Sequence, residues 1–359
     1  MQFDYCGIDK KAWKILLFPA CKKNLKLPLN YDKSPFSNSS CDDIRAIDLL
    51  KFNRAFIASE GIVFKGFALS GECIFQEEVW KKYRGFLQKF HFFRRNYFKR
   101  KTIKINKAFF FCDTWSLINY NHWLCDALTR LQAGFSWLES DAFIVIPYEK
   151  YSIKTDLIFD SLRAFGIDKN RVILLEKETK LFAQEIVMPS HVTQFGSIFF
   201  RSQILKPLRE RLLKINSLQK NLGERIYISR AKALYRKIAN EDAVVAMLKK
   251  YDFVIINAED YSFSRQVSIC NHAKILISCH GAGLTNLMFM PENNFVIELI
   301  NERMNRAHFY ALASALDMNY IHLKCPPINA ASDSEDVDIL VDIAQLEKQI
   351  EMAIRGKVE

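Results

Sequence analysis

From residue 225 into the early 320s, short apolar runs recur at a spacing that few folds accommodate. RIYIS, FVIIN, KILISC, FVIELI and YIHLKC are rich in β-branched residues and too short to be buried helices. Stretches of helical pattern separate them. The first opens at Asn240, where an N-cap residue precedes Glu241 and Asp242, and it runs to Lys250. SFSRQVSICNHA, GLTNLMFM and RAHFYALASALDM supply the others. Strands alternating with helices predict a parallel sheet covered on both faces. Such sheets bind ligands at the carboxyl ends of their strands.

Upstream, KAFFF, AFIVI, RVILL and EIVMP read as strands, while NHWLCDALTRLQAGFSWL and TDLIFDSLRAFG read as helices, the second closed by Gly166. RSQILKPLRERLLKIN reads as a basic helix despite Pro207, and SLQKNLGE, with Gly223, as a boundary. The expected domains are 1–222, 223–330, and an acidic segment with a final helix over 331–359. The first hundred residues suggest only strands and loops. A chain of 359 residues, 50% of them hydrophobic, has material for about two cores and is not disordered.

The net charge of +11 is local. Residues 79–111 hold eleven basic residues and no acid, so the remainder balances at 40 against 40. Such a stripe on a neutral body predicts one anionic surface partner and argues against a nucleic-acid binder. Within 79–98, Trp80, Tyr83, Leu87, Phe90, Phe93 and Tyr97 recur at helical spacing, broken by Phe92 and Arg94. This fits an ordinary surface helix, or a cationic amphipathic element over 79–107 resting on an anionic membrane. The nine cysteines form no CxxC pair, which reads as reduced thiols. The acids among the first eleven residues and the short apolar runs predict no signal peptide and no membrane span, hence a cytoplasmic protein, peripheral at most.

Three constellations carry candidate chemistry. In KILISC-HGAGLTN, His280, Gly281, Ala282 and Gly283 follow a strand and open a helical stretch. Glycine lets an anion approach the backbone, and unpaired helical N–H groups attract phosphate. Gly281, Gly283 and Asn286 nearly match GxGxxG, and Glu298 ends the next strand where a dinucleotide fold keeps its ribose-binding acid. The same stretch serves as a plain strand-to-helix turn with a core histidine. Arg225, Ser229, Arg230 and Arg236 offer phosphate-binding forks or ordinary surface pairs. Gln266, on the following helix, decides nothing alone. In NYNHWLCDALTR, His122 and Asp126 share a helix face and could orient a general base or form a simple ion pair.

Together, NYNHWLCDALTRL, RIYISRAKALYRKIANE, SFSRQ and HGAGLTNLMFMPENNFVIELI, in that order, strongly resemble glycosyltransferase family 61, which includes bacterial capsular and lipopolysaccharide enzymes. The resemblance covers roughly residues 105–325. It implies an α/β, GT-B-like fold with two Rossmann-like domains facing a cleft and a C-terminal helix. The implied reaction is inverting transfer from a nucleotide sugar to a hydroxyl of a surface-polysaccharide or lipid-linked glycan, with no cofactor or metal. Arg230, His280, Gly281, Ala282, Gly283, Asn286 and Glu298 would line the donor site, with Arg225, Ser229, Arg236 and Gln266 nearby. Asp126 or His122 would be the base. Thr129 departs from the proline that many members carry before the arginine.

A metal-dependent transferase would want DxD at a strand end; Asp336-Val337-Asp338 instead reads as charge at a helix start. An esterase is excluded by the lack of a GxSxG elbow. A nicotinamide-dependent oxidoreductase stays open, although its fingerprint normally opens the first βαβ unit, as does a non-catalytic membrane-surface protein with a degenerate nucleotide fold.

Overall fold

The computed structural model describes residues 8, 12–22, 25–26, 28–30, 43–74, 83, 85–113, 115–148, 153–192, 199–216, 221–329 and 334–356. The chain divides into two compact units, Met1–Lys23 with Asp42–Ser197, and Asn24–Cys41 with Ile198–Glu359.

The first unit is built on a mixed sheet. Strands β1 (Trp13–Phe18), β4 (Ile47–Ala58), β5 (Val63–Lys65) and β6 (Ala68–Leu69) form its antiparallel part, and a small pair, β2 (Cys21–Lys22) and β3 (Asp43–Ile44), stands apart. Strand β4 then pairs antiparallel with β10 (Thr179–Pro189), which runs parallel to β7 (Lys101–Phe109), β8 (Phe143–Pro147) and β9 (Val172–Leu175). Four parallel strands make this half α/β, while the sheet as a whole is mixed. Its first strands, in a region where the sequence offered only short runs, close the sheet antiparallel.

Helix α1 (Phe86–Arg94) passes into a π-helical turn, Arg95–Lys99. The expected amphipathic helix over 79–98 is not continuous: Tyr83 is helical, but Gly85, extended, caps a separate helix α1. Phe92, which broke the apolar stripe, is buried with Phe93 against Phe64, whereas Leu87 and Phe90, which belonged to it, are exposed. Residues 79–82 and Arg84 lie outside the described residues. The basic stripe is also not one surface: Arg95 and Arg100 both pair with Glu60, and Lys107, on β7, pairs with Glu139 and Asp141. After α2 (Tyr120–His122), a π-helical turn at Trp123–Ala127 and α3 (Leu128–Gly134), helix α4 (Thr155–Arg163) leads to β9.

The second unit is doubly wound. Helix α5 (Ser202–Asn216) precedes β11 (Arg225–Ile228), α6 (Glu241–Lys250), β12 (Val254–Ile256), α7 (Phe263–Cys270), β13 (Ile275–Cys279), β14 (Phe295–Asn301), α8 (His308–Ala315), β15 (Asn319–Cys325) and α9 (Ile343–Arg355). Its five strands are all parallel, in the order β12-β11-β13-β14-β15. The chain leaves β11 toward β12, then crosses back to β13 and continues away. The switch in direction thus falls between β11 and β13, where such sheets leave a crevice at the carboxyl ends. The predicted helix after HGAG is a 3₁₀ helix, Ala282–Phe289. Asn240 does not cap α6 with its side chain; its amide pairs with both backbone groups of Val341. Helix α9 is part of this unit's core through Leu346, Ile350 and Ala353. Among the described residues no helix is long and apolar enough to cross a membrane.

Candidate functional site

The switch point of the second unit collects most of the predicted donor residues. Strand β11 delivers Ser229 and Arg230, and β13, its neighbour, delivers His280 and Gly281. The Arg230 guanidinium lies against the Cα of Gly281 so closely that a Cβ there would stand 1.9 Å from its Nη1. Gly281 has φ 164°, an extended conformation open to any residue, so space for the arginine, not backbone torsion, demands glycine. Arg230 Nε donates to the carbonyl of Arg236 (3.1 Å), and Nη2 to that of Tyr235 (3.1 Å). Arg236, held at φ +60°, turns toward the same loop; its Nη1 reaches the His280 carbonyl at 3.5 Å and its Nε lies 3.3 Å from Asp336. Two cations thus flank a glycine-bearing loop at a strand terminus, an arrangement suited to a diphosphate.

Beneath them is a buried polar column. His280 Nδ1 donates to Glu298 Oε1 at 2.5 Å, and the Tyr320 hydroxyl donates to Glu298 Oε2. Burial first, and the carboxylate second, push the Tyr320 phenol well above its usual range, so it remains a donor. Glu298 is fully buried with both oxygens engaged, which corrects its expected contact with a ribose. It holds the His280 ring, whose remaining polar atom is Nε2.

Other predicted residues are structural braces. Arg225 begins β11, so by strand rise it lies roughly 16 Å from Arg230, at the wrong end of the sheet; it donates to the Tyr251 carbonyl (2.7 Å). Ser229 and Tyr227 both donate to Glu241, at 2.8 and 2.7 Å. Gln266 donates to the carbonyls of Ala258 and Tyr261 and accepts from Asn286 (2.9 Å), tying the 3₁₀ helix to α7. The Asp336-Val337-Asp338 charge does not start α9, which Asp342 caps. Asp336 pairs with Arg236, and Asp338 accepts from the Lys237 N–H (2.8 Å).

In the first unit, His122 Nδ1 and Asp126 Oδ2 are 2.6 Å apart. The dyad spans the π-helical turn, a distortion often found at functional sites. His122 is the more accessible member, 21% exposed against 7% for Asp126. The neighbouring Trp123 is structural: it is buried and donates to Ser161 (2.9 Å). Arg130 is fully buried and donates to the carbonyls of Pro189 and Glu72. Sequence reasoning missed Asp113 and His191, which follow β7 and β10 on adjacent strands and lie 3.6 Å apart. The strand-end rule that found the second unit's site would have pointed to both. Burial raises the Asp113 carboxyl and drives the His191 imidazole well below its usual value, so both tend to neutrality. Among the described residues no three His, Cys, Asp or Glu side chains are grouped to hold a metal ion.

A parallel sheet with arginines and a glycine loop at its switch point makes the second unit an α/β body with a candidate anion site, and comparison with known sequences shows similarity to glycosyltransferases. Residues 120–297 match the family model described as Glycosyltransferase 61, and the matches support that family for this chain. The EGF domain-specific O-linked N-acetylglucosamine transferase of Canis lupus familiaris is 33% identical over 242 residues, covering 61% of this chain and 45% of the relative. The Drosophila melanogaster protein of the same name is 41% identical over 78 residues, 21% of this chain and 15% of the relative. Protein O-linked-mannose beta-1,4-N-acetylglucosaminyltransferase 2 of Homo sapiens is 28% identical over 108 residues, 28% of this chain and 19% of the relative. The chain spans less than half the length of these curated relatives. They are animal glycan-modifying enzymes, so the bacterial capsular subgroup that the resemblance suggested finds no support in them.

Proposed function

We propose that this chain transfers a sugar from a nucleotide-sugar donor to a hydroxyl of a glycan acceptor, with inversion and without a metal. The observation that carries this reading is the Arg230 guanidinium seated on Gly281 at the switch point, flanked by Arg236. The donor's diphosphate would lie along the HGAG backbone N–H groups and these cations. His280, aimed by the buried Glu298 through Nδ1 and carrying a second proton on Nε2, would donate that Nε2–H to a phosphate oxygen as negative charge develops on the leaving group. His122 would take the proton of the acceptor hydroxyl, with Asp126 orienting its ring. The acceptor oxygen then bonds to the anomeric carbon as the bond to the phosphate oxygen breaks, and one displacement inverts that centre. The relatives' names share N-acetylglucosamine as the sugar, which makes it the first donor sugar to test. A lipid-linked acceptor belongs to the same proposal.

The test is thermal shift with UDP-, GDP- and CMP-sugars, UDP-N-acetylglucosamine included, in EDTA. One nucleotide sugar should stabilise the chain, and Arg230→Ala should weaken its binding about tenfold or more, the worth of one charge-assisted contact. His122→Asn should keep that shift while turnover falls by about 10²–10⁴. Stabilisation by NAD(H) alone, or by no nucleotide, would overturn the reading.

A further inference from the structure

One face of the first unit is aromatic and cationic at once. Phe67, in the β5–β6 turn, is 80% exposed; Phe86, opening α1, is 82% exposed; Phe98, in the following π-helical turn, is 86% exposed. Phe90 and Leu87 on α1 are exposed as well. These side chains are not scattered: Phe67, Phe86, Phe90 and Phe98 line a single open groove of about 1090 Å³. Lys89, Arg94 and Lys99 line it with them. Among the described residues no carboxylate pairs with these three cations, whereas Arg95 and Arg100, close by in sequence, are held by Glu60. The inner ring of the same cluster, Phe92, Phe93 and Phe64, is packed and buried, so the outer rings stand on a built foundation.

We propose that this face is an attachment surface for an anionic lipid bilayer. Water-exposed phenyl rings on this scale are unfavourable unless something apolar receives them, and monomeric proteins rarely keep such a patch without a use. The interleaved cations select the recipient. Lysine is depleted from protein–protein interface cores, where its ammonium would be stripped of water. At a bilayer the same side chain lays its stem along the apolar zone and carries its charge to the phosphate level. The patch is continuous with a stretch, residues 79–111, that contains no acid, so nothing there repels an anionic headgroup layer. The proposal does not rest on the transferase reading, since it uses none of the donor or dyad residues.

The experiment is co-sedimentation of the full chain with vesicles of pure phosphatidylcholine and of phosphatidylcholine with 30% phosphatidylserine (~30% being an anionic fraction in the range that attracts polybasic surfaces). Binding to the anionic vesicles should exceed binding to the neutral ones and fall with salt. Each cation removed should weaken it about fivefold, and Lys89→Gln/Arg94→Gln/Lys99→Gln on the order of a hundredfold. Phe86→Ser/Phe98→Ser, both at exposed positions, should also release the chain from vesicles, with its thermal unfolding unchanged. Equal binding to both vesicle types, binding indifferent to the triple variant, or no binding together with concentration-dependent self-association through Phe86 and Phe98 would each overturn the proposal. Nucleotide-sugar thermal shift on the triple variant reads the donor site independently.

Discussion

At the scale of single residues, Gly281 and Arg230 form the pair on which the proposed donor site turns. A Cβ at 281 would meet the far end of a flexible side chain, not backbone, so Gly281→Ala should fold with little loss of stability while its Arg230 swings away. Donor affinity should then drop about ten- to a hundredfold, the worth of a charge-assisted contact of roughly 1.5–3 kcal/mol. Isothermal titration with the stabilising nucleotide sugar measures it; wild-type affinity would remove Arg230 from the site. Gly283 makes the contrast, because a Cβ there meets Ile228 Cγ2 at 3.2 Å and would press on the core instead. Glu298 is the reverse case. It is a residue whose acidic character suggested ligand contact and whose burial assigns it to the histidine beneath the loop. Removing one partner of such a buried, hydrogen-bonded pair typically costs several kcal/mol, since the other stays desolvated.

At the scale of elements, the helical run from Tyr120 to Gly134 is shaped by its π-helical turn. Thr129 is engaged there: its hydroxyl donates to the carbonyls of Cys125 (2.6 Å) and Asp126 (3.0 Å) one turn back, a local side-chain-to-backbone bond that tends to bend a helix. The adjacent strand ends supply a pH signature. His191 is buried with its basicity lowered well below the usual 6.5, by desolvation first and by Arg130 and Arg45 next. The unfolded chain therefore binds a proton there that the folded chain refuses. Its stabilising contribution is complete above pH ~6.5 and is lost as pH falls toward the folded value, at about 1.4 kcal/mol per pH unit for one proton. Urea midpoints between pH 7.5 and 5 should fall for the wild type and fall less steeply for His191→Asn; parallel slopes would exclude this source. Strands such as KILISC and FVIELI were legible because β-branched runs of that length have one use. The dyad was legible too, because four residues of spacing bring side chains together on a helix. The π-helical turns, the 3₁₀ helix after HGAG and the inward choice of Phe92 over Phe90 were not, since competing hydrogen bonds and the position of Phe64 decide them. Tyr320 was out of reach for the same reason. Only the register that sets Glu298 opposite His322 brings Tyr320, two residues along on the same face, to the carboxylate.

At the scale of the whole chain, the two units show different logic. The first combines parallel and antiparallel strands and carries the dyad and the aromatic, basic face; the second carries the proposed donor loop on a uniformly parallel sheet. The chain's last stretch completes that second unit. Ile339 joins the sheet-side core through bridges to Ile238 and Pro327, Val341 pairs with Asn240, and α9 buries Leu346 and Ile350. Tyr251, which follows α6, donates to both Glu347 and Glu351 of α9 (2.9 and 3.2 Å). The same stretch reaches the proposed donor site, because Asp336 and Asp338 hold the loop that presents Arg236. A chain ending at residue 330 would lose four large buried side chains, Ile339, Val341, Leu346 and Ile350. At ~1.5–3 kcal/mol each, that is about as large as the total stability of ~5–15 kcal/mol expected of a domain. Such a truncation should abolish both the cooperative unfolding of the second unit, seen by calorimetry, and the nucleotide-sugar thermal shift. Ile350→Ala alone should cost about 2–5 kcal/mol and leave the shift measurable. Asp336→Asn with Asp338→Asn separates the two contributions. It keeps the core and frees the Arg236 loop, so donor affinity should fall while the unfolding transition stays cooperative. A truncated chain that still binds the nucleotide sugar would show that the acidic segment and α9 are dispensable appendages to the donor site.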